Sequence, residues 1–474
     1  MVGEDVLYLP IRRLAELLRT RRLSPVELTE SYLARSERIG PTLNAYASLT
    51  PEIAREQARA AEREITGGRY RGLLHGIPYA PKDLLAARGA RTTWGARPYA
   101  TQSSDENATV IDRLNRAGAI MIGKAAMIEL AGGLGYTSGD ASLSGPCRNP
   151  WNTRYWTCGS SSGSGAVTSA GLAAFTLGSD TRGSIICPST HCGITGMRPS
   201  FGRVSRYGAM AIAWSMDKIG PMARTADCCG LILSAIAGHD PLDRESLPDA
   251  VASFRYRRPL APATPIRIGR LTNVFPKADP AVHEASDRAL RVLEAHGAVV
   301  RDAELPDGPF EEAAELVILM EAASSFSDLL RSGRCAELQD PHGQINGYAS
   351  LEFSSADYLQ VQRVRAFLQK KIDALFDRFD VIAAPGEADT PILLSAPPEA
   401  EETEGPMDSR QPDAISSLCG LPAVTVPCGF TADNLPLGIQ FIARALNDRA
   451  VLEAAHLFQT HTDWHVKRPP IRPS

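Results

Sequence analysis

Apolar positions recur at helical spacing through the first sixty residues. In Ile11–Arg21 the stripe Ile11, Leu14, Leu17 and Leu18 faces away from the arginines, which predicts an amphipathic helix. Ser24-Pro25-Val26-Glu27 reads as the start of the next one: a serine N-cap, proline in the first turn, and a glutamate three residues after the serine. After Gly67-Gly68 the pattern changes. From His75 to Gly238 glycines punctuate short apolar runs, the signature of alternating strands and helices. A helix over Ala108–Ala117 leads into a buried strand at Gly118–Gly123, and Ala166–Leu177 reads as a buried helix running into a strand.

Further on, Ile266–Leu271 predicts a strand and Ala281–His296 an amphipathic helix. A long helix follows near Ser355–Phe379, presenting Leu359, Val364, Phe367, Leu368, Ile372, Leu375 and Phe376, and then a strand at Val381–Ala384. The Pro-, Asp- and Arg-rich stretch Pro241–Pro265 reads as a surface linker, and acidic Pro397–Pro406 as a mobile loop. The expectation is an α/β protein: one large domain with a mixed, twisted β-sheet flanked by helices. It divides into N-terminal helices (1–70), a catalytic core (71–240), the linker (241–265) and the remaining sheet and substrate-site loops (266–474).

Bulk properties narrow the options. The 474 residues are 44% hydrophobic and 22% charged with a formal net charge of −4, an ordinary globular balance that offers nucleic acid or an anionic membrane no basic face. No apolar run reaches bilayer-spanning length, and the N-terminus carries Glu4 and Asp5 rather than a basic-then-apolar leader. A cytoplasmic location is expected. Nine cysteines without repeated CxxC spacing argue against a disulfide framework or zinc ribbon. Cys187, His191 and Cys192 lie close together, as do His461 and His465, but neither group has a second ligand pair at metal-site spacing. No metal and no cofactor are expected.

The chemistry concentrates in Cys158-Gly159-Ser160-Ser161-Ser162-Gly163-Ser164-Gly165 and Gly178-Ser179-Asp180-Thr181-Arg182-Gly183-Ser184. A flexible linker would not be followed by a buried helix and a second Gly/Ser turn. A phosphate-cradling loop would need a lysine that is missing here. Gly159–Gly163 matches G-x-S-x-G, which would make Ser161 the nucleophile of an α/β-hydrolase elbow; that elbow requires a strand directly upstream, and Asn149–Trp156 makes a poor one.

These two segments resemble the amidase signature family, whose hallmark is a Gly-Gly-Ser-Ser-Gly-Gly-Ser run followed, after a buried helix, by Asp-Thr-Gly-Gly-Ser-Ile-Arg. The family's upstream lysine context is matched by Gly76-Ile77-Pro78-Tyr79-Ala80-Pro81-Lys82-Asp83. Gly123-Lys124, Asn149-Pro150-Trp151, Cys192–Pro199, Gly202–Ser205, Gly420–Pro427 and Pro436–Gln440 extend the likeness over almost the whole chain. The resemblance implies Ser184 as acylated nucleophile, Ser160 as bridging serine after a cis Gly159–Ser160 peptide, and Lys82 as base. No histidine stands in the matched segments to take the serine proton, and a lysine does so only when burial holds it neutral.

The backbone amides of Thr181, Arg182, Gly183 and Ser184 are the expected oxyanion donors, with Asp180 bracing their turn. Ala131, Gly132 and Gly133 match a segment lining the acyl site, where their small size leaves room for substrate. Arg182 replaces the first glycine of the double-Gly pair, Ile186 the following arginine, and Cys158 the first glycine of the serine-rich run, where a free cysteine reads as a small buried hydrophobe.

The expected activity is that of a stand-alone amidase, monomer or homodimer, hydrolysing neutral, aryl-bearing small-molecule amides and carbamates (urethanase activity). The alternative is the A subunit of a tRNA-dependent amidotransferase, which carries Arg-Gln where Ile186-Cys187 stand here.

Overall fold

The structure, a computed structural model, describes residues 2–258, 264–274, 278–395 and 411–471. The helix starts follow the sequence closely. Pro25–Leu43 opens with the expected box: Ser24 Oγ accepts from the amides of Val26 and Glu27, and the Glu27 carboxylate accepts from Ser24 N–H. Such a cap contributes about 1 kcal/mol. Ile11–Arg19 buries Ile11, Leu14 and Leu18 as the stripe predicts. Among these N-terminal helices the chain also forms a strand, Tyr46–Leu49, which pairs with Gly123–Ala125 in a separate two-stranded sheet.

Ten strands of the described residues build one mixed sheet. Their order is Ile120–Met121, Pro78–Pro81, Phe175–Asp180, Lys218–Ala223, Thr195–Arg198, Ala423–Phe430, Pro436–Ala443, Val381–Pro385, Arg267–Leu271 and Val299–Ala303. The first three strands are mutually parallel, the middle ones antiparallel, and the last three parallel again. Central strands are buried along their whole length because helices cover the sheet on its faces, which is why they read as continuous apolar runs rather than alternating ones. The fold is the expected single-domain α/β architecture, and no helix among the described residues is long and apolar enough to cross a membrane.

Three expectations change. The buried helix begins at Ser162, inside the serine-rich run, and ends at Ser169. The long helix Ser355–Asp373 and the turn after it bury Leu368, Ile372 and Phe376 and pack Val364 and Leu375 on the core as expected, but Val361 and Arg365 are also buried, whereas Leu359 and Phe367 are 58% and 57% exposed. Its seam is partly polar, since Arg365 donates to Leu418 O and to Ser215, so apolar spacing alone drew the stripe too wide toward Leu359 and Phe367. The described part of the presumed linker stays mostly at the surface, as expected, but it is anchored. Asp243 pairs with Arg206 at 3.1 Å, and Ser246 and Ala252 are buried. The acidic stretch Pro397–Pro406 lies outside the described residues.

Candidate active site

Two edges of the sheet's first half meet at the site. The strand Pro78–Pro81 is extended by Lys82 N–H donating to Leu177 O at 2.9 Å, which sets Lys82 against the end of Phe175–Asp180. Side chains alternate along that neighbour. Ser179 therefore faces Lys82, and Asp180 faces the opposite side. Lys82 is wholly buried, with Nζ 2.7 Å from Ser160 Oγ and 3.0 Å from Ser179 Oγ. Burial pulls its pKa down to about 7, opposed by the carboxylates of Asp180 and Asp217. A shift of that size from the ordinary 10.5 corresponds to about 5 kcal/mol in favour of the neutral amine.

The Gly159–Ser160 peptide is cis. Ser161, the elbow candidate, is fully buried and donates to Ser179 O at 3.1 Å, and the residues upstream form an isolated bridge at Arg148–Trp156 rather than a strand. It serves as a structural hydroxyl.

Asp180 organises the turn carrying Ser184. Its carboxylate accepts from Gly183 N at 2.9 Å and Ile185 N at 2.7 Å, and Arg198 donates to it at 3.1 Å. Burial would raise this fully buried carboxyl, but the charges of Arg198 and Lys218 and the amides of Ile185 and Gly183 hold it below its usual range. Gly183 adopts φ +92°, and a side chain there would press on Asp413 Oδ2 at 3.1 Å, so this place in the turn requires glycine. Because Gly183 N–H is taken by Asp180, it is withdrawn from the expected oxyanion donors. The amides of Thr181, Arg182 and Ser184 carry no other bond among the described residues. Ser184 is half-buried, and its hydroxyl makes no hydrogen bond among the described residues. The Arg182 guanidinium turns away to pair with Glu311.

The segment Ala131–Gly133 follows Ile128, whose N–H donates to Ser160 O at 3.2 Å. Its glycines do not leave open space, however. A side chain at Gly132 would strike the Tyr136 ring at 2.6 Å, and one at Gly133 would strike Phe326 and Ile212 at 2.8 and 2.9 Å. Their role is to admit those side chains. Ile128, Ala141 and Trp156, with Tyr136 packed edge-on to Trp156, form an apolar wall beside Gly159.

A further correction concerns Cys158, which is not a free thiol but is disulfide-bonded to Cys187. Sequence reasoning also missed Ser179 and the positioning role of Arg198. The signal for Ser179 was present in the alternation next to Asp180. Arg198 gave no local signal, because Asp180 lies on another strand 18 residues away and its other partners, Ser416 and Ser417, more than two hundred residues away.

A buried neutral-capable lysine on a serine, and a second serine carried in an Asp-braced turn, are the parts expected of a serine amide hydrolase. The chain belongs to the Amidase family, the amidase signature family, whose model matches residues 27–452. It is 35% identical over 494 residues to the A subunit of the Glutamyl-tRNA(Gln) amidotransferase of Geobacter metallireducens, covering 98% of this chain and 100% of that one. Among solved structures it resembles the native peptide amidase of Stenotrophomonas maltophilia (27% identical, TM-score 0.84, both chains covered completely). It also resembles a structure described as a vestigial protein complex that reveals the evolutionary origins of an s-triazine catabolic enzyme (29% identical, TM-score 0.86, 95% of this chain and 98% of that chain covered). The chain is thus a hydrolase of amide C–N bonds.

Proposed function

We propose that the reaction runs through an acyl-enzyme on Ser184, with Ser160 as proton bridge and Lys82 as base. The observation that carries this reading is the 2.7 Å contact of Ser160 with an amine that burial holds near pKa 7. Neutral Lys82 takes the Ser160 proton as Ser160 takes that of Ser184, and Ser184 Oγ adds to the substrate carbonyl. The oxyanion faces the free amides of Thr181, Arg182 and Ser184. The proton returns by the same route to the leaving nitrogen, the C–N bond breaks, and water repeats the sequence on the ester. The Ser160–Ser184 link closes with substrate in place, as catalytic hydrogen bonds often do.

The substrate reading is neutral, aryl-bearing amides, extended to carbamates. The wall of Ile128, Tyr136, Ala141 and Trp156 supports aryl groups, and the pairing of Arg182 with Glu311 engages the guanidinium next to the nucleophile turn. A carbamate presents the same carbonyl and C–N bond and needs no new catalytic group. The second reading, an A subunit working inside a tRNA-dependent amidotransferase, draws more direct support from the relatives, which carry that name at 35–37% identity. Supporting the stand-alone reading is Ile186-Cys187, where the amidotransferase chain carries Arg-Gln.

One assay separates them: the purified chain, with Ser184→Ala as control, is given a matched anilide and N-aryl carbamate, and separately glutamine. Aniline release by the chain alone establishes the stand-alone reading. Glutamine hydrolysis that needs added partner subunits, with no anilide turnover, establishes the other. Turnover of the anilide but not the carbamate would confine the activity to amides.

A further inference from the structure

The helix Ile186–His191 follows the Ser184 turn and carries Cys187 and His191 four residues apart, on one face. Cys158, two residues before Ser160, is bonded to Cys187 across a separation of 29 residues. The ligand atoms of Cys158, Cys187 and His191 all lie within 4.8 Å of one another. His191 Nδ1 is 3.9 Å from Cys187 Sγ, and its Nε2 is 3.3 Å from Asp389 O. A carbonyl only accepts, so the ring proton sits on Nε2 and the Nδ1 lone pair points toward the sulfur. This is how a second partner orients a metal-binding imidazole. Cys158 also sits at φ +66°, a left-handed backbone that glycine adopts more readily.

We infer that Cys158, Cys187 and His191 form a redox-gated site for one soft or borderline divalent cation such as Zn2+. In the oxidised chain the two sulfurs bind each other. A dithiol or phosphine reductant supplies two electrons, the S–S bond breaks, and the two thiols lose their protons to the solvent as the cation binds. Two thiolates and one imidazole are a zinc-type ligand set, with the fourth position left to water at the half-buried Cys158.

Thiol titration and Co2+ binding test this on the full chain. The denatured, unreduced protein should show seven reactive thiols, matching the seven free cysteines, and reduction should raise this to nine. Nine before reduction would overturn the redox gate. CoCl2 added to the phosphine-reduced native chain should give a thiolate-to-cobalt charge-transfer band and tetrahedral visible bands saturating at one Co2+ per chain. Zn2+ should erase them. The unreduced chain should give neither. His191→Ala should weaken Co2+ binding tenfold or more, and C158S/C187S should abolish the charge-transfer band. Absence of the band in the reduced chain, equal binding by the unreduced chain, or undiminished affinity in His191→Ala would each overturn the site. The comparison of oxidised with reduced native protein holds even if the double variant does not fold.

Discussion

Two lysines, Lys82 and Lys124, are wholly buried in the same half of the molecule, yet their surroundings give them opposite uses. Lys124 Nζ lies 3.3 Å from Asp83, with Leu85 O at 2.7 Å and Thr92 Oγ1 at 2.8 Å. Burial pulls its pKa down, but the charge and hydrogen bond of Asp83 oppose that, and the pair fastens the Lys82-Asp83 turn to the strand Gly123–Ala125. Lys82 touches hydroxyls instead of a carboxylate, and the Asp180 and Asp217 charges act on it only from a distance. Equal burial therefore yields a structural ammonium beside a carboxylate and a titratable amine beside hydroxyls. What distinguishes a base from a brace is the partner, not the depth.

The largest effect separates chemistry from fold outright. Ser184→Ala should lower kcat on the order of 10^5-fold, as removal of a nucleophile does elsewhere. The melting temperature should stay within about 2 °C, because a half-buried turn hydroxyl contributes little to stability. Steady-state kinetics and thermal melts on the same preparation check both. Retained turnover would move the nucleophile away from Ser184.

The lysines themselves come next. Lys82→Met should cost on the order of 10^3-fold or more in kcat while leaving stability unchanged or improved, since a desolvated amine is replaced by an apolar chain. Lys124→Met should do the reverse. It strands the Asp83 carboxylate in the interior at a cost of about 3–5 kcal/mol, while the molecules that still fold keep most of their activity. The double change D83L/K124M removes both charges and should recover much of the lost stability. Chemical denaturation alongside active-site-normalised kcat reads the contrast. Equal stability losses in Lys82→Met and Lys124→Met would erase the distinction between the two pockets.

The pH profile follows from the same contrast. Lys82 works as the neutral amine and its pKa stands at about 7. The active fraction therefore grows as pH rises through 7, and below that kcat/KM should fall about tenfold per unit. An acid limb with its midpoint near 10, the range of an ordinary lysine, would show that Lys82 keeps its proton.

How much of this was legible in the chain depended on how local the cause was. The capping box at Ser24 and the stripe of Ile11–Arg19 are written within a few residues, and the structure has both in place; of the three catalytic candidates, each carried by its own short motif, it joins Lys82 to Ser160. Sheet order was not legible. Ala423–Phe430 lies beside Thr195–Arg198, a pairing set by packing across the whole molecule. The same holds for the Cys158–Cys187 bond, which needs the Ser184 helix folded back against the serine-rich run. The anchoring of the stretch after Pro241 was hidden because Asp243 looks solvent-bound until Arg206 arrives from a loop earlier in the chain. Small residues at Gly132 and Gly133 suggested space, although Tyr136 and Phe326 occupy it.

The smallest and sharpest test concerns Ser179, the hydroxyl that shares Lys82 with Ser160. It is buried, it stands 3.0 Å from Nζ, and it lies on the strand rather than in either serine-bearing turn, so its removal leaves the proton route through Ser160 intact. A hydroxyl oxygen facing an ammonium accepts a hydrogen bond and favours the charged form. Ser179→Ala takes that acceptor away, which disfavours the ammonium further and should move the acid limb of kcat/KM to lower pH. A hydrogen bond to a charged group contributes about 1.5 kcal/mol, so the displacement should be no more than about one pH unit. Above the limb kcat should fall about tenfold or less, since the amine loses one of the two contacts that aim it. Lys82→Met would erase the limb altogether, whereas Ser179→Ala only shifts it, and that difference marks Ser179 as a group acting through Lys82. A limb that stays in place would make Ser179 a packing residue. A limb displaced to higher pH would mean that the hydroxyl donates to the neutral amine and favours the base instead.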